Sequence, residues 1–170
     1  MARHTGPILL DTNVILECWR AGAWRALAGG YRLETVEACE AETQTGFQRR
    51  RPEQQIDAAL LRASFSAIHA VTQAERAQAV VREPQIAFLD EGEQALWAHA
   101  LTRADGWLLC GPDKASLRVG IRLGFRERLV SLERLLVDVG HSAKGLRAPY
   151  TRTWLDRTLA EIALQEGGTP

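Results

Sequence analysis

The run Ile8-Leu9-Leu10, halted at once by Asp11-Thr12-Asn13, constrains this chain more than any other segment. A continuous apolar run that ends in helix-capping side chains fits a strand covered on both faces and leading directly into a helix. Strands of that kind belong to parallel sheets, whose crossover connections are usually helical. The same switch recurs along the chain. Residues 31–35 read as a second short strand, and 36–42 continue at helical spacing with Val36, Cys39 and Thr43 on one side. Residues 54–63 and 74–81 read as helices on either side of a strand at 68–71. From Glu91 to Arg103, Leu96, Trp97, Ala100 and Leu101 make one buried helical stripe. Residues 107–110 form a strand, Gly111-Pro112 a turn, and Asp113 opens a helix over 114–123. A last strand is expected at 129–131, a helix at 132–139, and a final helix at 151–164 after a stretch rich in Gly, Arg and Pro. The predicted fold class is α/β: a three-layer sandwich with a central, mostly parallel sheet flanked by helices. It spans 1–139, with a C-terminal helical extension over 140–170 packed on, or swapped with, the same domain.

Composition narrows the function classes. The 170 residues carry 21 basic and 21 acidic side chains, with 46% hydrophobic and 25% charged residues, so a disordered or fibrous chain is excluded. No apolar stretch approaches the roughly 20 residues that span a bilayer. Asp11 and Asn13 interrupt the apolar run behind the basic start, which argues against a signal peptide and leads to the expectation of a cytoplasmic protein without membrane contact. Cys18, Cys39 and Cys110 read as reduced core thiols. His4, His69, His99 and His141 form no pair at zinc-ligand spacing, so the sequence displays no zinc site. A zero net charge removes the simple argument for nucleic-acid binding, and any such role has to come from local charge.

The acids are placed more tellingly. In an open parallel sheet, sites form beyond the carboxyl ends of the strands. Asp11 follows the first strand, Glu40 lies in the helix after the second, Glu93 in the first turn of its helix, and Asp113 after the 107–110 strand. Convergent carboxylates repel one another at a cost of several kcal/mol unless a cation intervenes, and an oxygen-only ligand set favours Mg2+ or Mn2+. A structural explanation exists for each. Asp90 and Glu93 have capping-box spacing, Asp113 and Asn13 suit N-caps, and Glu34, Glu37, Glu40 and Glu42 suit the solvated side of a helix start. Asp11 is the exception, because it ends a run apolar enough for a central strand.

Taken in order, Ile8-Leu-Leu-Asp-Thr-Asn-Val14, Thr35-Val-Glu-Ala-Cys-Glu40, Leu89-Asp-Glu-Gly-Glu93 before an alanine-rich helix, and Leu108-Leu-Cys-Gly-Pro-Asp-Lys114 resemble a PIN-domain nuclease over residues 7 to about 137. The resemblance implies a quartet of metal-binding catalytic acids: Asp11, Glu40, Glu93 and Asp113, supported by Thr12, Asn13 and Lys114. Glu37 competes with Glu40, one turn away, and Asp90 and Glu91 compete with Glu93. Gly111 stands where many relatives carry a hydroxyl two residues before the fourth acid. The implied activity is a divalent-metal-dependent endoribonuclease of toxin or RNA-processing type, leaving a 5′-phosphate and a 3′-hydroxyl. Its implied partners are an RNA substrate, an antitoxin protein and a second copy of the chain. The alternative is a catalytically silent PIN-like module that binds RNA or protein. An Asp-based phosphatase of the haloacid-dehalogenase type is disfavoured, because Asn13 stands where its second Asp must exchange a proton.

An acidic pocket repels the polyanion it cuts, so basic residues should frame it. Arg49, Arg50 and Arg51 form one run. Arg118 and Arg122, four apart on the helix opened by Asp113, form a candidate phosphate track.

Overall fold

Four short parallel strands set the frame. The computed structural model describes residues 3–45, 52 and 55–167. In it β1 (Ile8–Leu10), β2 (Leu33–Val36), β3 (Ala67–His69) and β4 (Leu108–Cys110) form a sheet in the order β3-β2-β1-β4. Ile8 pairs with Leu33 on one side and Leu108 on the other, and Leu10 lies beside Cys110. Every residue of β1 is fully buried, as a central strand with two covered faces requires.

The faces are filled by alternate side chains of that strand. Leu9 points into a core shared with α3 (Glu37–Thr43), α6 (Glu91–Leu101) and α7 (Lys114–Arg122). Ile8 and Leu10 point into the opposite core, built from α1 (Thr12–Arg20), α2 (Trp24–Gly30), α4 (Ala58–Ser64) and α8 (Leu132–Asp138). This is a three-layer α/β arrangement. Burying each such aliphatic side chain contributes about 2 kcal/mol, so both layers are held by the same three-residue strand. Helix α5 (Gln73–Arg82) packs beside α6, and α9 (Arg152–Gln165) lays Leu155, Leu159 and Ile162 onto the α6–α7 side. Among the described residues, no helix is long and apolar enough to cross a membrane.

Three boundaries depart from the sequence expectation, each for a local reason. The strand expected at 129–131 is reduced to a single parallel bridge between Leu109 and Leu129, because the Ser131 side chain accepts from Arg134 N and starts α8. The helix expected from 54 begins at Ala58, where Asp57 caps it through Leu60 N. Strand β3, expected over 68–71, covers Ala67–His69, and after two residues the capping box of Thr72 and Glu75 starts the next helix.

Helix α1 also anchors the Gly/Arg/Pro-rich stretch. Glu17, fully buried, accepts from Arg20 at 2.6 and 2.8 Å, from Arg147 N at 2.9 Å and from Arg147 Nε at 2.8 Å. Burial works to raise its pKa, but the donors of Arg20 and Arg147 prevail and hold it at about 2. The group's contribution to stability is complete above its ordinary value of 4.5 and is lost as pH falls toward 2. Glu17→Ala, which strands the Arg147 amide as well as both guanidinium groups, should cost about 2–3 kcal/mol at pH 7. Urea unfolding at pH 7 and pH 3 checks this, the difference between wild type and variant shrinking at the lower pH.

Candidate metal centre

Asp11 leaves the sheet at the carboxyl end of β1, its amide donating to Cys110 O of β4 at 3.1 Å. Its side chain caps α1 by accepting from Asn13 N at 3.2 Å. It is only 4% exposed. Burial pushes its pKa up to about 7, helped by the charges of Asp90 and Glu42 and opposed by the Asn13 amide. The neighbouring turn is shaped by the same carboxylate. A Cβ placed on Gly111 would lie 3.2 Å from Asp11 Cβ, closer than ordinary van der Waals contact, so the turn passes tightly over this carboxylate.

Glu93, in the first turn of α6, is 5% exposed and its amide donates to Asp90 Oδ1 at 2.8 Å. Burial first, then the charges of Asp113, Asp90 and Asp11, push its pKa up to about 8. Of the four acids selected from the sequence, Asp11 and Asp113 thus both act by their charge on Glu93, from the ends of β1 and α7. Asp113 is solvent-exposed and caps α7, its Oδ1 accepting from Ala115 N at 2.7 Å and Ser116 N at 3.1 Å. Lys114, next to it, is exposed. The two helices that carry Glu93 and Asp113 are joined inside the core by Trp97 Nε1 donating to Ser116 Oγ at 2.8 Å.

Glu40 is not brought to this cluster. Its buried carboxylate is held by the Arg62 guanidinium of α4, through Nε to Oε1 and through Nη2 to Oε2 at 3.1 Å. Glu37, its competitor, is exposed. The acid that α3 contributes instead is Glu42. Thr12 Oγ1 donates to Glu42 Oε2 at 2.6 Å, and Gly92 N, at the start of α6, donates to Oε1 at 3.2 Å. Geometry within the helix accounts for the exchange. Successive residues are rotated by about 100°, so Glu40 and Glu42 face roughly opposite ways, one on each flank of the Cys39–Thr43 side. A Cβ on Gly92 would meet the Glu42 carboxylate at 2.8–3.1 Å, so glycine is what lets this acid reach α6.

The supporting residues divide. Thr12 positions Glu42. Asn13 acts through its backbone N–H on Asp11, with its side chain exposed. Asp90, the alternative to Glu93, joins the cluster in addition to it by capping α6 and adding charge against both Asp11 and Glu93. Five carboxylates, from Asp11, Glu42, Asp90, Glu93 and Asp113, therefore gather where β1, α3, α6 and α7 meet. Oxygen donors of this charge are of the kind a hard divalent ion takes, but among the described residues no three of these side chains bring one oxygen each within 4.8 Å of the others, so the acids form a loose cluster whose side chains must draw together to share an ion.

The phosphate track does not form as expected. Arg118 donates to Glu166 Oε1 and Gln165 Oε1, both at 2.6 Å, while Arg122 binds Glu83 Oε1 at 3.0 Å and Glu166 Oε2 at 2.9 Å. These arginines clamp the end of α9 onto α7, and their charge is compensated there. Arg49, Arg50 and Arg51 lie outside the described residues. The chain matches no protein-family model, no curated protein and no solved structure.

Proposed function

We propose that this chain is a divalent-metal-dependent endoribonuclease of PIN type, using Mg2+ or Mn2+ held by Asp11, Glu42, Glu93 and Asp113. The observation that carries the reading is the buried pair Asp11 and Glu93, each pushed toward neutrality by burial and by other acids at the carboxyl ends of parallel strands. Capping alone does not account for it: Asp90 and Asp113 cap their helices while exposed, whereas Glu93 is buried and caps nothing. When bound, a divalent ion supplies charge neutralisation at the scissile phosphate and a more acidic water. The protein's own part is to hold donors in place. The Asn13 amide fixes Asp11, Thr12 and Gly92 fix both oxygens of Glu42, and the Trp97–Ser116 bond sets the separation of the helices that bear Glu93 and Asp113. No Ser–His–Asp machinery is needed for hydrolysis of this kind.

Purified protein with Mg2+ or Mn2+ should cleave single-stranded RNA, with cleavage lost on adding EDTA and restored by excess metal. Affinity for Mg2+ should rise with pH through about 7 to 8, because the ion takes Asp11 and Glu93 only as they lose their protons. The compensation of Arg118 and Arg122 by Glu83 and Glu166 favours a second reading, a PIN-like module that binds RNA or a protein partner without cutting. Calorimetric titration with Mg2+ separates the two, since the nuclease reading requires binding that Asp11→Asn abolishes.

A further inference from the structure

Histidines too far apart in sequence to indicate a metal site are brought together by the fold. His69, the last residue of β3, and His99, on α6, stack with ring centroids 3.9 Å apart and planes inclined by 20°. Beside them stands Glu34 of β2, 3% exposed, its Oε2 2.7 Å from His69 Nε2. One donor-type atom from each of the three side chains lies within 4.8 Å of the other two. Arg103 Nη1 occupies the place between two of them, 2.5 Å from Glu34 Oε2 and 3.0 Å from His99 Nε2. Only an imidazole nitrogen with a free lone pair accepts from a guanidinium, so His99 and Glu34 aim their electron pairs at a common cationic point.

We propose that Glu34, His69 and His99 form a second metal site, suited to Zn2+ or a similarly borderline transition-metal ion, which takes the place of the Arg103 N–H. Two imidazoles and one carboxylate are a zinc-type donor set, with ligand distances of about 2.0–2.2 Å, unlike the oxygen-only set of the acid cluster. Arg103 keeps a partner when displaced, because its Nε and Nη2 already bind both oxygens of Asp105 at 2.8 and 2.6 Å. Of the three ligands His69 is the one most open to solvent. It lies on an edge strand, partly exposed, and lines a surface cleft of about 260 Å³ together with Glu37, Val71, Arg76 and Glu91. On binding, the Nε2 proton that His69 shares with Glu34 passes to solvent, and both atoms turn to the ion. The bound ion ties the short edge strand β3 to α6, the helix that carries Glu93. This site is independent of the carboxylate reading above.

The test is calorimetric titration of the metal-stripped full chain with Zn2+, in two buffers of different ionisation enthalpy, on wild type and on Asp11→Asn so that the acid cluster is held apart. The expected result is binding in both, with up to one proton released per ion. Affinity should fall about 100-fold in His69→Gln and in His99→Ala, and Arg103→Gln, which removes the competing cation, should bind about tenfold more tightly. Absence of Zn2+ binding, or equal affinity in wild type and His69→Gln, overturns the proposal. So does binding lost only in Asp11→Asn, which assigns the ion to the carboxylates. His69→Gln lies on a partly exposed edge and tests the site even where His99→Ala disturbs the core.

Discussion

Asp11→Asn should lower metal-dependent RNA cleavage by at least about 10³-fold and, in the same protein without metal, raise thermal stability above pH 7. The two effects share one cause. Folded Asp11 holds its proton to about pH 7, against an ordinary value of 3.8, so the folded state is favoured at low pH and loses that advantage as pH rises through 7. Three units correspond to about 4 kcal/mol as an upper bound, and asparagine removes the charge while keeping an acceptor for Asn13 N. At pH 8 the melting temperature of the metal-free variant should exceed that of wild type by roughly 5–10 °C, the gap closing near pH 4. Adding Mg2+ should raise wild type and barely move the variant. Scanning calorimetry at the two pH values, with RNA cleavage on the same samples, reads every part. Cleavage undiminished in the variant removes the nuclease reading, and a variant no more stable at pH 8 removes the electrostatic one.

The second large effect is a contrast within one helix. Glu42→Gln should cut cleavage about 100-fold, whereas Glu40→Gln should leave it within about threefold of wild type. Glutamine at 42 retains an oxygen that can accept from Thr12 or Gly92, so the fold is spared while the ligand charge is lost. At 40 the change weakens only the contact with Arg62. Single-turnover cleavage by both variants decides the assignment, and the reverse ranking returns the role to Glu40.

What the sequence disclosed and what it hid follow from the physics of each signal. The three-layer α/β class was readable because a buried parallel strand leaves a continuous apolar run, and Ile8-Leu9-Leu10 is one. The places of Asp11, Glu93 and Asp113 in the fold were readable because each sits at a strand or helix end, where position along the chain translates directly into position in space. Glu42 was hidden because the choice between it and Glu40 depends on helix rotation. The stripe Val36, Cys39, Thr43 does not decide it, since Glu40 and Glu42 lie on its two flanks and Glu40 is the more buried of the two. Gly92 was a signal: a glycine inside a helix costs about 1 kcal/mol and marks a close approach, here by the Glu42 carboxylate. The fate of Arg118 and Arg122 was illegible, because nothing local shows that Glu83 and Glu166 return to meet them. The pairing of His69 with His99 likewise exists only through β3 lying next to β2.

The five acids of the pocket come from segments as far apart as residues 11 and 113, joined only when β4 docks beside β1. During synthesis the amino-terminal half of the chain emerges with Asp11 and Glu42 but without the two helices that complete the cluster. Their like charges also oppose the final closure, so the pocket should be among the last parts to assemble. A nascent or partly unfolded chain is accordingly unable to build the full constellation, and the topology itself postpones that chemistry until the polypeptide has left the ribosome far enough for α7 to settle.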